Sequence, residues 1–126
     1  NELSKLVKEL SGTEIPSNRP LIGDMAYDIE SGIVASWYLN AGAQDPTLLF
    51  PINPDFVGHR HTRILMGKKS GLDSVFDWAK NTGIELDKDE AAEVLKQVKQ
   101  RAHDLKRSLN PDEFRQIAQG VKGGKK

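Results

Sequence analysis

The chain has 126 residues, with 18 lysines and arginines against 18 aspartates and glutamates, no cysteine, 37% hydrophobic and 29% charged residues. That length fits one domain or two small helical subdomains but no second large catalytic unit. An apolar content below the ~45–50% of an average globular domain predicts a thin core, with some apolar surface meant for a missing domain or a partner subunit.

Zero net charge without a basic stripe argues against nucleic acid as a partner. The lack of cysteine excludes disulfides, thiolate metal sites and cysteine nucleophiles. No stretch approaches the ~20 apolar residues that span a bilayer, so a cytoplasmic protein with no membrane partner is expected. The first residue is Asn1, with neither an initiator methionine nor a signal-like apolar run, and the N-terminus is expected to lie inside a longer chain.

Over residues 2–10, Leu3, Leu6, Val7 and Leu10 recur at the spacing of one helix face, and Gly12 stops it. Pro16 and Pro20, with Ser17, Asn18 and Arg19, make residues 13–20 a linker, because proline donates to neither helix nor sheet. Residues 26–39 carry Ile29, Ile33 and Trp37 at four-residue spacing, with Tyr27, Val34 and Tyr38 on adjacent rows. This predicts a helix bent near Ser31 and Gly32, too apolar all round to be a free surface helix. Gly42, Pro46, Pro51 and Pro54 make residues 41–58 an irregular connection of functional or mobile character.

Residues 63–66 fit a short strand. Residues 72–82 read as a helix with Val75, Phe76 and Ala79 on one face and Gly83 as a left-handed cap. Asp87 and Glu90 form a capping box for a helix reaching Arg107, whose stripe is Ala91, Val94, Leu95, Val98, Ala102 and Leu105. Asn110, Pro111 and Glu113 open a last short helix with Phe114, Ile117 and Ala118 inward and Gly120 ending it. The tail over residues 122–126 is expected to be disordered. The fold class is therefore mainly α, with irregular loops and at most a short strand.

His59 and His61 share a face if the backbone is extended, a workable metal-ligand spacing. Two ligands fall short of the usual three or four, so salt-bridging or solvent-exposed histidines are the plainer reading. Lys68, Lys69 and Ser70, bracketed by Gly67 and Gly71 ahead of a helix, can converge on an anion such as a CoA phosphate, or can be a glycine-flanked turn with solvated lysines. Asp24, Asp28 and Glu30 lie near Tyr27, where exposure at a helix start is the default account. His103 sits on a basic, solvated face. No nucleophile triad or nucleotide-binding glycine pattern is present.

Taken in order, Ile15-Pro16 through Pro20-Leu21-Ile22-Gly23, Ala26-Tyr27 with Glu30-Ser31-Gly32-Ile33, Pro54-Asp55-Phe56-Val57-Gly58, and Leu65-Met66-Gly67-Lys68-Lys69-Ser70-Gly71 resemble the region after the TIM barrel in 2-isopropylmalate, citramalate and homocitrate synthases. The resemblance covers residues 1 to 120. It implies that residues 1–20 are the last barrel helix and a linker, that 21–66 form a first subdomain serving as active-site lid and dimer contact, and that 67–121 form a second of a helical hairpin plus a short helix. It further implies a substrate-lid role for Tyr27, Glu30, Ser31 and Gly32, with the chain's own catalytic barrel and a homodimer partner as its associates. Divalent metal and acyl-CoA are implied for the full-length parent, and no cofactor, metal ligand or catalytic residue for this piece. Two departures stand out. Val34 occupies the place of the synthases' histidine after Glu-Ser-Gly-Ile, and Leu49 that of their tyrosine, while Tyr27 replaces a phenylalanine. A free-standing helical interaction or regulatory module is the rival reading.

Overall fold

The computed structural model describes residues 1–124. Helix α1 (Glu2–Ser11) closes at Gly12, which takes the left-handed conformation at φ 66° and returns its N–H to the Lys8 carbonyl. None of its residues is buried. Its apolar row stays in water, with Leu3 72%, Leu6 50%, Val7 52% and Leu10 78% exposed. The linker that follows folds onto itself through the Arg19 N–H to Pro16 and Gly23 N–H to Arg19 bonds.

The predicted helix over residues 26–39 does not form as one piece. Asp28 and Ile29 instead make strand β1 (Asp28–Ile29), parallel to β2 (Arg63–Ile64) in register Asp28 with Arg63 and Ile29 with Ile64. Two arginines that grip the Asp28 carboxylate hold this pairing where helical periodicity pointed elsewhere. Ser31 is extended, and helix α2 (Gly32–Trp37) starts at the place where a bend was expected, running on into a π-helical turn (Tyr38–Gly42). It buries Ala35 but leaves Ile33 67% and Trp37 60% exposed, so this apolar segment does lie on the surface. The connection expected to be irregular contains two 3-10 turns, Pro46–Leu48 and Pro54–Val57. Each is opened by an Asx cap, Asp45 or Asn53, whose side chain accepts a backbone N–H two residues on.

Helix α3 (Leu72–Thr82) ends at Gly83, φ 71°. Helix α4 (Lys88–Leu105) opens on the reciprocal Asp87–Glu90 box, and α5 (Pro111–Gly123) on the equivalent Asn110–Glu113 box, each cap contributing about 1 kcal/mol. Gly120 does not terminate α5. The helix continues to Gly123, because the tail's Lys122 ammonium donates to the Glu85 carbonyl at 2.7 Å and docks the last turn. Residues 122–124 of the tail expected to be disordered are thus part of the helix and its cap, and residues 125–126 lie outside the described residues.

Two apolar clusters result. The larger gathers Met66, Val75, Ala79, Ala91, Val94, Val98, Ala102, Leu109, Phe114 and Ala118 from α3, α4, α5 and their connections. The smaller gathers Ile29, Ala35 and Ile64 with Val34, Tyr38, Leu49 and Phe50. Trp78 packs against both, and its indole N–H donates to the Ile64 carbonyl at 2.8 Å. Leu95 packs on the larger cluster only half-buried, and Phe76, expected inward, is 36% exposed. Phe114 is fully buried edge-on to Trp78. Phe114→Ala is therefore expected to cost about 3–5 kcal/mol in chemical denaturation, against less than about 1 kcal/mol for Phe76→Ala. Equal costs would remove Phe114 from the centre of the core.

Candidate functional site

The two motif regions that the sequence separates by some forty positions meet in space. From the β1–β2 pairing the chains run side by side, the Leu65 N–H bonding the Ile29 carbonyl at 2.7 Å and the Gly32 N–H bonding the Lys69 carbonyl at 2.9 Å. Gly32 and Gly71 then touch backbone to backbone. A Cβ added at Gly32 would stand 2.7 Å from the Gly71 nitrogen, closer than real side chains come. The Glu30 carboxylate accepts the Lys69 N–H at 3.1 Å and lies over Gly67, where an added Cβ would be 2.6 Å from it. Glu30, Ser31 and Gly32, assigned separately from Lys68, Lys69 and Ser70, thus form one structural unit.

Within this unit the anion site drawn from the sequence is rearranged. The Ser70 hydroxyl is buried, accepts the Gly67 N–H at 2.9 Å and donates to the Leu65 carbonyl at 3.1 Å, so it braces the turn. Lys68 and Lys69 project outward. A groove of about 520 Å³ runs between the starts of α2 and α3, lined by Ser31, Gly32, Trp37, Lys69 and Asp73 among others.

None of the three acidic residues opens a helix, and of them only Asp24 is exposed. The Asp28 side chain is 2% exposed and saturated by guanidinium groups: Arg63 through Nε at 3.1 Å and Nη2 at 2.7 Å, Arg60 through Nη1 at 2.8 Å. A second Arg60 donor reaches the Asp24 carbonyl. Of the two histidines, His61 meets the expectation of an exposed, ion-pairing side chain and His59 departs from it. His59 is buried with Nε2 3.0 Å from the Gly23 carbonyl, which makes that nitrogen the donor, while His61 is 89% exposed beside Asp55. His103 is 79% exposed, as its basic surroundings imply. Among the described residues no group of three or more His, Cys, Asp or Glu stands together to hold a metal ion.

Tyr27 is 3% exposed, its ring set against Phe50 and His59 at 5.2 and 5.0 Å, and among the described residues its hydroxyl has no hydrogen-bond partner. Burial pushes that phenol up from its ordinary range, so it stays neutral. Val34 and Leu49, the positions departing from the synthase pattern, pack in the same apolar cluster. The arginine clamp escaped the sequence reading because its three residues come from two segments. No local pattern in the sequence pairs them.

Burial pushes the Asp28 carboxyl up, but hydrogen bonds from Arg63 and Arg60 and their charges outweigh it and hold the group below its ordinary range. A carboxyl lower in the folded than in the unfolded chain stabilises above the unfolded value, and that stability is lost as pH falls through the folded one. Glu113 has the same sign, pulled down to about 2 by Arg107 and the Asn110 N–H. The denaturation midpoint should fall as pH drops from about 4.5 toward 2. Asp28→Asn should flatten that slope and cost about 1–3 kcal/mol at neutral pH, an unchanged slope counting against the clamp. Gly32→Ala should cost about 1–3 kcal/mol by overpacking. Gly120→Ala, whose Cβ meets nothing within 4 Å inside α5, should stabilise by up to about 1 kcal/mol.

Residues 21–106 match the family model described as homocitrate synthase post-HMGL domain-like. Over 122 residues the chain is 34% identical to the putative (R)-citramalate synthase CimA of Methanopyrus kandleri, covering 97% of this chain and 23% of that protein. It is 30% identical to the homocitrate synthase AksA of Methanothermobacter thermautotrophicus, covering 97% and 30%. It is 36% identical to the probable 2-isopropylmalate synthase of Ignicoccus hospitalis, covering 95% and 29%. The chain thus spans 23–30% of the length of these relatives.

Proposed function

The chain belongs to the homocitrate synthase post-HMGL domain-like family, and we propose that it is the accessory part following the barrel of a cytoplasmic biosynthetic enzyme that joins or cleaves a carbon–carbon bond between an acyl-CoA and a 2-oxo acid. In this reading the chain docks on its own catalytic barrel, contributes to dimerisation and covers the partner's active site. In this reading the divalent metal of such an enzyme belongs to the barrel.

The observation that carries the reading is the bare face of α1. A ten-residue helix is marginal in water by itself. Yet Leu3 and Val7 join Ile15, Leu21, Ile22, Phe56 and Val57 around an apolar groove of about 820 Å³. Phe56 is 83% exposed there. Ile33 and Trp37 offer a second apolar patch, next to the Glu30–Ser31–Gly32 segment, for a dimer contact. Tyr27, Glu30, Ser31 and Gly32 remain the lid residues of this proposal, and the division at residues 20, 66 and 121 its subdomain scheme. Among the described residues no helix is long and apolar enough to cross a membrane.

The test pairs the chain with a separately produced barrel from the parent. Wild type should bind it and restore turnover. The double substitution Leu3→Asp and Val7→Asp should abolish binding without unfolding the chain, because α1 buries nothing. Trp37→Asp should reduce dimerisation seen by sedimentation while leaving barrel binding intact. A chain that ignores the barrel and sediments as a clean monomer would overturn the proposal in favour of a free-standing module.

Val34 packs on the same apolar cluster as Leu49, which stands where the synthases have a tyrosine, so an imidazole there would lack that partner. Val34→His in the full-length parent is therefore expected to leave thiol release from acetyl-CoA with 2-oxoisovalerate unchanged. A gain on the order of 10²–10⁴-fold, the usual contribution of a positioned general acid or base, would show that the rest of a synthase site is intact.

A further inference from the structure

Helix α4 ends on Lys106 in the left-handed region, φ 54°. The left-handed ends of α1 and α3 are Gly12 and Gly83, residues that take this conformation without the strain a Cβ brings. A lysine kept where glycine is cheaper points to its side chain. That side chain lines a cleft of about 490 Å³ with Met25, Glu30, Lys68, His103, Arg107 and Ser108. The cleft thereby joins the end of α4 to the Glu30 and Lys68 of the two sequence motifs.

The charges in it are unequally spent. Arg107 is held by Glu113 in a two-pronged pair at 2.7 and 2.9 Å, and Glu30 turns one carboxylate oxygen to the Lys69 N–H. Among the described residues the ammonium groups of Lys68 and Lys106 have no hydrogen-bond or ion-pair partner. Two free ammonium groups and the Ser108 hydroxyl thus face the Glu30 carboxylate, while the exposed His103 imidazole stands 3.7 Å from Asp104. The carbonyl end of α4 opposes an anion here, so the lysines must outweigh it, and any anion they hold should be released readily by salt.

We infer that this cleft binds the phosphate groups of a CoA thioester, with Lys68 and Lys106 as the paired cations. The inference rests on the proposed function for its choice of ligand and moves the anion site suggested by Lys68, Lys69 and Ser70 to a different set of partners.

The experiment titrates the 126-residue chain with CoA, pantetheine and inorganic phosphate, following backbone amide signals by NMR at low and moderate salt. CoA should shift Lys68, His103, Lys106 and Ser108, less so as salt rises. Pantetheine should not, and inorganic phosphate should shift the same signals at least about tenfold more weakly, as fewer phosphate oxygens are engaged. Lys106→Gly should weaken CoA binding about five- to tenfold while keeping or raising thermal stability, and Lys68→Gln should weaken it similarly. CoA and phosphate binding equally would reduce the cleft to a free-anion site and overturn the assignment. Absence of shifts, or binding untouched by both substitutions, would overturn it outright. If Lys106→Gly lowers stability, the lysine serves the helix end and Lys68→Gln alone decides. The titration needs no barrel, so its failure leaves barrel docking standing, and failure of docking leaves the cleft standing.

Discussion

Gly32 and Gly71 meet backbone against backbone, and the positions of the surrounding elements follow from how closely they approach. With no side chain between them, the first turn of α2 rests on the residue that precedes α3. The strands upstream are thereby brought into parallel register, Ile29 and Ile64 enter the same apolar cluster, and Glu30 comes within reach of the Lys69 N–H. A parallel pair of two residues has little stability of its own. It persists here because the Asp28 carboxylate, cut off from water, is shared by two arginines on the neighbouring strand and its approach. Breaking either arginine away would strand a buried charge, which is the strong direction of such an interaction.

Hydrogen bonds and packing divide the work between the two clusters. Around the larger one, α4 and α5 open on complete capping boxes, and burial of Val94, Val98 and Phe114 supplies the stabilisation. Around the smaller one, short helical turns and loops rely on specific polar contacts: His59 to the Gly23 carbonyl, Ser70 bridging Gly67 and Leu65, Trp78 to Ile64. Such a region specifies geometry more than it adds stability.

What could be read from the sequence follows the same division. The α3 to α5 region was legible because Asp87 with Glu90, Asn110 with Glu113, Gly83 and the stripe through Val94 and Val98 are local signals that agree with one another. Residues 26–39 misled because Ile29, Ile33 and Trp37 satisfy a helical period by chance of spacing. The strand over Asp28 and Ile29 depends on Arg60 and Arg63, and no local pattern announces a partner that distant. Buried His59 was missed for the same reason, its acceptor being the carbonyl of Gly23. The motifs placed Glu30, Gly32 and Lys68 through Gly71 at the candidate site, and only their folding together revealed that Ser70 is structural and that Lys68 faces the end of α4.

Trp78 lies in both clusters at once, and the Leu109 N–H bonds the Met66 carbonyl at 2.7 Å just where β2 gives way to the helices. These two contacts join the strand region to the helical one, so the segment carrying Glu30 and the helices α3, α4 and α5 share one packed interior. Loss of the Trp78 side chain would therefore open both clusters at once.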